Sequence, residues 1–148
     1  MSKKVMIVSG GASGLGLAAG IKFSKNGYNV VLIDVNEEKG KAAEKKIKEL
    51  GGDALFCLCD ISNKEQVQRA AKLTKEKFGR ADVLINNAGL EVRGSVLQCT
   101  EEDWVRLYDI NLKGIEVIND LLQRIEEMQD EIARLKKRLD LFEDAPRR

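Results

Sequence analysis

The chain has no histidine among its 148 residues, which removes His-based nucleophile pairs and most zinc sites. Its cysteines number three, Cys57, Cys59 and Cys99, and show no paired spacing, so a disulfide framework is not indicated. Cys57 and Cys59 stand two apart on an apparent strand and would face the same layer as small buried groups. No apolar run approaches the roughly 20 residues of a membrane span. Met1-Ser2-Lys3-Lys4 leads into a strand rather than into the core of a signal peptide, so the cytoplasm is the expected compartment. Charge of one sign is also lacking: 33% of residues are charged but the net charge is +1, and no general attraction to nucleic acid or membrane follows. Proline occurs once, at Pro146. The length allows one ordinary domain and an appendage.

What is present is an alternation of strands and helices. Val5-Met6-Ile7-Val8 is a continuous apolar run, as in a buried parallel strand, and it enters the glycine-rich stretch Ser9-Gly10-Gly11-Ala12-Ser13-Gly14-Leu15-Gly16. A helix follows to Asn26 and stops at Gly27. Asn29–Asp34 and Ala54–Cys59 read as further buried strands, each closed by an acid, Asp34 and Asp60. Asp82–Asn86 is the fourth strand. A helix stopped by Gly51-Gly52 lies between the second and third strands. Another lies between the third and fourth, with Ser62 and Glu65 expected as its capping box. Such alternation implies right-handed crossovers and an α/β fold with a doubly wound parallel sheet in the order 3-2-1-4. Glycines let a backbone approach a pyrophosphate, and the helix behind them offers free N–H groups and a positive dipole end.

The turn Gly10-x-x-x-Gly14-x-Gly16 with Ser9 before it resembles the short-chain dehydrogenase/reductase family. So do Asp34, Asp60, Asn86-Asn87-Ala88-Gly89 and Asn111-Leu112-Lys113-Gly114, which occur in the family order. The resemblance covers about residues 3–114. It implies a Rossmann-like domain over 1–114, truncated to four strands, that binds a dinucleotide through Ser9, Gly10, Ser13, Gly14, Leu15 and Gly16. Asp34 would meet the adenosine ribose, Asp60 and Ile61 the adenine, and Asn87, Ala88 and Gly89 would lie along the adenosine. A carboxylate at 34 repels a 2′-phosphate, and Val35 and Asn36 follow instead of a cation, so NAD is favoured over NADP. The plainer readings are that Asp34 caps the next helix and that Asp60 only ends a strand.

Family enzymes also carry a Ser and a Tyr-x-x-x-Lys pair whose phenol moves the substrate proton. The two tyrosines here are followed four positions later by Leu32 (after Tyr28) and Leu112 (after Tyr108). No catalytic set is complete. Asn111 matches the family's catalytic Asn, but without Tyr and Lys it is expected to serve as a helix-bending structural residue. The family's later strands are absent as well, leaving Val83-Leu84-Ile85 as an apolar edge. A second copy, a partner supplying the missing half, or the following helix should cover it.

Thr100 and Asp103 can cap a helix that then runs without a strong break to about Phe142. Beyond Gly114 a heptad pattern appears. Ile118, Ile125, Ile132 and Leu139 take the a positions, and Leu121, Met128, Leu135 and Phe142 the d positions. The sequence therefore predicts a coiled-coil helix over 115–142, unrelated to the family, and a frayed tail over 143–148. The alternative is an amphipathic helix folded back on its own domain. Ile at a with Leu at d favours a parallel dimer, and in that orientation Glu131 faces Lys136 and Arg138 faces Glu143. Three functions fit these features: an NAD-binding module that oligomerises through its tail; a coiled-coil scaffold or chimera with a relic nucleotide site; and one half of a split oxidoreductase. None involves metal, nucleic acid or membrane.

Overall fold

A computed structural model describes residues 3–143. The apolar runs form four parallel strands: β1 (Val5–Ser9), β2 (Asn29–Asp34), β3 (Ala54–Leu58) and β4 (Val83–Ile85). Their order is β3-β2-β1-β4, as the alternation predicts. Helices α1 (Gly14–Lys25), α2 (Glu37–Glu49) and α3 (Lys64–Phe78) connect them. Both faces of the sheet are covered, which is why its strands read as continuous rather than alternating runs. Met6, Val8, Val30 and Leu32 point to the α1–α2 side, where Ala43 and Ile47 meet them. Val5, Ile7, Val31 and Ile33 point to the other, where Val67 and Ala70 of α3 complete the layer. Cys57 and Cys59 are buried in that second layer. Burial pushes their thiols up to about 11 and about 12, with the neighbouring Glu44 adding to the first and Cys57 and Asp60 to the second.

Helix starts follow the side chains able to accept from the first turn. Asn36 accepts from Lys39 N–H at 2.9 Å, and Asn63 accepts from Gln66 N–H at 3.0 Å. The expected Ser62–Glu65 box is corrected by this: the cap of α3 is Asn63, one residue later, because the Ser62 hydroxyl is taken by Asp60 Oδ1 at 2.7 Å. The Thr100–Asp103 box at the start of α4 (Glu101–Tyr108) is present with both of its reciprocal bonds.

The chain from Thr100 onward is not one uninterrupted α-helix. After α4 comes a π-helical turn, Asp109–Lys113, and then α5 (Gly114–Glu143). Two contacts locate the interruption. The side chain of Asn111 turns back to Leu90, and Gly114 lies so close to Ile61 that a Cβ there would stand 2.8 Å from its Cγ1 and Cδ1. Helix α5 starts against the sheet: Ile118 is 3% exposed within the α3-side core. Asn119 Oδ1 accepts from Asn86 Nδ2 at 3.3 Å. Ile118 is thus corrected from a position on an intermolecular seam to one in the chain's own core. Ile132 and Leu135 are exposed. The side chains of Leu121, Ile125, Met128, Leu139 and Phe142, and the tail beyond Glu143, lie outside the described residues. Among the described residues β4 pairs with β1 alone, leaving its other edge open.

Candidate functional site

The strands end together, and a cleft of about 570 Å³ opens where they do. In doubly wound sheets this is where ligands bind, beyond the carboxyl ends of the strands. One wall is the glycine-rich turn. Gly10 has φ +65°, and a Cβ on it would stand 2.9 Å from Asn87 Nδ2 and 3.0 Å from Ala88 Cα. Gly16 is tighter still: a Cβ there would come within 2.1 Å of the Gly10 carbonyl oxygen. Gly14 is the opposite case, with φ +53° and open space where a side chain would be. Ser13 is the N-cap of α1 but makes no side-chain cap bond, and the first turn holds no acid. Its N–H groups are therefore left for an acceptor from outside the chain, the arrangement that binds phosphate oxygens at helix N-termini.

Two polar side chains, buried Ser9 and half-buried Asn87, sew this wall to the end of β4. Ser9 Oγ accepts from the N–H groups of Asn87 and Ala88, both at 3.1 Å. Asn87 Nδ2 donates to the carbonyls of Ser9 and Gly10 at 3.0 and 3.2 Å. Ser9, counted from sequence among cofactor contacts, thus holds the wall from behind, while Asn87 both braces the turn and lines the cleft.

The acids at the strand ends are partly engaged. Asp34 Oδ2 accepts from Ala12 N–H and Oδ1 from Asn36 N–H, each at 3.0 Å. Asp34 therefore fixes the glycine turn while keeping lone pairs toward the cleft; the cap of α2 is Asn36. Asp60 Oδ1 accepts from the N–H and hydroxyl of Ser62 at 2.9 and 2.7 Å. Gly10, Ser13, Asp34, Asp60 and Ile61 line the cleft, as do Asn87, Ala88 and Gly89. Ser9, Gly14, Leu15 and Gly16 are not in its lining; Leu15 is exposed beside the turn. Sequence reasoning missed Arg106 and Ile110, which line it from α4 and the π turn.

Asn111 is held at both ends of its amide. Its Oδ1 accepts from Leu90 N–H at 2.8 Å, and its Nδ2 donates to Leu90 C=O at 3.0 Å. That pair of bonds clamps the loop after β4 onto the π turn. Among the described residues no group of His, Cys, Asp and Glu is placed to hold a metal ion. No helix there is long and apolar enough to cross a membrane.

The family model described as short chain dehydrogenase matches residues 4–132. The match passes Gly114, where the sequence resemblance stops, and extends into α5. A 3β-hydroxysteroid dehydrogenase of Mediterraneibacter gnavus is 39% identical over 113 residues, covering 76% of this chain and 41% of that protein. An uncharacterized oxidoreductase of Thermotoga maritima is 38% identical over 111 residues, covering 75% and 43%. Among solved structures, an NAD+-bound xylitol dehydrogenase superposes with a TM-score of 0.81 at 29% identity, covering 86% of this chain and 50% of that one. A metagenomic short-chain oxidoreductase in complex with NADP gives 0.77 at 31%, covering 84% and 57%. The chain spans less than half the length of the curated relatives it matches.

Proposed function

Because the chain belongs to the short-chain dehydrogenase/reductase family, we propose that its cleft holds the adenosine and pyrophosphate portion of a nicotinamide dinucleotide, NAD in preference to NADP. The observation that carries this is the open N-terminus of α1 beside Gly14, with the Asp34 carboxylate bonded to the same turn and lining the cleft. The α1 N–H groups would receive the pyrophosphate. Asp34 would accept from the ribose hydroxyls and repel a 2′-phosphate. Asp60 and Ile61 would meet the base. The nicotinamide ring, when bound, supplies hydride chemistry; this chain's own part is to bind and orient. Within its 148 residues neither tyrosine is followed by a lysine four positions on. The chain by itself is therefore a binding module without turnover.

Calorimetric titration with NAD and NADP tests this. NAD should bind saturably and more tightly than NADP, and Asp34→Arg should invert the preference. No saturable binding at millimolar NAD would overturn the reading and leave the scaffold alternative standing. Dehydrogenase turnover by the pure chain would overturn the assignment of a module without turnover.

A second part of the proposal concerns the far end of α5. Ile132 and Leu135 are exposed at consecutive a and d positions, while Ile118 is buried at home. The distal helix therefore pairs in parallel with a second copy, beginning beyond the turns that lie on the sheet. Light scattering of wild type and of Ile132→Asp with Leu135→Asp reads it directly: a dimer that becomes a monomer supports the pairing, and an unchanged mass rejects it.

A further inference from the structure

Resting on the reading of the cleft as an adenine-dinucleotide site, we infer that Arg106 is a specificity-determining residue there, a guanidinium that closes over the outer face of the bound base. Arg106 is the one cation among the residues lining the cleft, where it stands with the carboxylates of Asp34 and Asp60. It is also uncommitted. Among the described residues, Arg80 is paired with Asp82 and Arg93 with Glu91. The Arg106 side chain forms no ion pair or hydrogen bond there. Asp103 feels its charge only at a distance. Arg106 lies four residues before Ile110 on the same wall, and Ile61 offers a second apolar contact to the cleft.

The chemistry of these groups divides the nucleotide among them. The phosphates have the α1 N-terminus, and the ribose has Asp34. Asp60 is an acceptor suited to an exocyclic amine. What remains is the π-face of the base. A guanidinium is planar, weakly hydrated and permanently charged, so it stacks on such a face where an ammonium would keep its water. Arg106 is exposed at the mouth of the cleft, the position from which a long side chain folds inward once a ligand gives it a surface.

The test uses the full chain with Arg106→Met, which keeps much of the apolar stem, and Arg106→Lys, which keeps the charge but not the plane. Adenosine, AMP and NAD are titrated by calorimetry or ligand-observed NMR. Both variants should weaken all three ligands by a similar factor, roughly three- to thirtyfold. A loss confined to AMP and NAD would mean that Arg106 meets a phosphate, and would overturn the inference. Full recovery in Arg106→Lys would overturn it too, because charge alone would then suffice. Unchanged affinity in both variants, with wild type still binding, rejects the inference but leaves the dinucleotide reading intact. Failure of the wild type to bind any of the three ligands rejects both.

Discussion

Replacing Asn111 with alanine should loosen the molecule at one identifiable amide. In the native chain the Asn111 side chain makes two bonds to one residue, receiving Leu90 N–H at 2.8 Å and donating to Leu90 C=O at 3.0 Å. Intramolecular hydrogen bonds contribute about 0.5–1.5 kcal/mol each in net terms, so the loss is about 1–3 kcal/mol. Half-burial of the orphaned Leu90 groups favours the upper part of that range. In a domain of this size each kcal/mol lowers the midpoint of thermal unfolding by roughly 2–4 °C. Asn111→Asp is the informative companion: it keeps an acceptor for the Leu90 N–H but sets an oxygen against the Leu90 carbonyl, so it should not restore stability. Urea unfolding gives the energy, and native-state hydrogen exchange gives the place. The Leu90 amide should lose protection in Asn111→Ala while the β1 and β2 amides keep theirs up to the new global limit. A stability change below about 0.5 kcal/mol, with Leu90 exchanging no faster, would refute the clamp.

Gly16→Ala should destabilise the glycine turn and abolish nucleotide binding, since its Cβ would stand 2.1 Å from a backbone oxygen that no side-chain rotation can move; wild-type stability and binding would contradict the geometry. Alkylation of native protein near pH 8 should label Cys99 and spare Cys57 and Cys59, whose burial raises their thiols to about 11 and about 12; mass spectrometry showing rapid labelling at either would contradict their placement. For Asp82, partial burial pushes its carboxyl up, but the bonds from the Arg80 guanidinium and Val5 N–H, with the charges of Arg80 and Lys4, outweigh it and hold the carboxyl below the usual range. A depressed carboxyl adds stability above its unfolded value of about 3.9, and this is lost as pH falls through the folded value. Asp82→Asn should therefore flatten the acid limb of the stability profile, and an unaltered limb would show that the carboxylate is not held.

The sheet was legible because a strand covered on both faces leaves a run of apolar residues with no other explanation, as at Val5–Val8 and Val30–Ile33. The glycine turn was legible because steric demand at Gly10 and Gly16 is met by one residue type only. Ser62 misled because it is as good a cap by type as Asn63; the choice was made by Asp60, which engages the Ser62 hydroxyl across the turn. Arg106 and Ile110 could not be found from spacing, since what brings them to the cleft is the docking of α4 after a loop of irregular structure. Ile118 shows the limit of a heptad frame. An apolar residue every three or four positions describes a helix side facing something, and whether that something is the sheet or another chain depends on how far the sheet extends beneath it.

The π turn at Asp109–Lys113 carries a consequence for the winding of the backbone rather than for composition. Such a turn holds one residue more than an α-helix needs over the same rise, and each residue in an α-helix advances about 100° around the axis. The extra residue is absorbed within the turn, so deleting one residue there would regularise the winding and leave α4 and α5 at nearly the angle they have now. Winding the same five residues as α-helix would instead swing α4 by about a quarter turn. Arg106 would then leave the cleft, while α5, anchored by Ile118 and Asn119, stayed where it is. In this segment the winding of the backbone, and not the number of residues, aims α4.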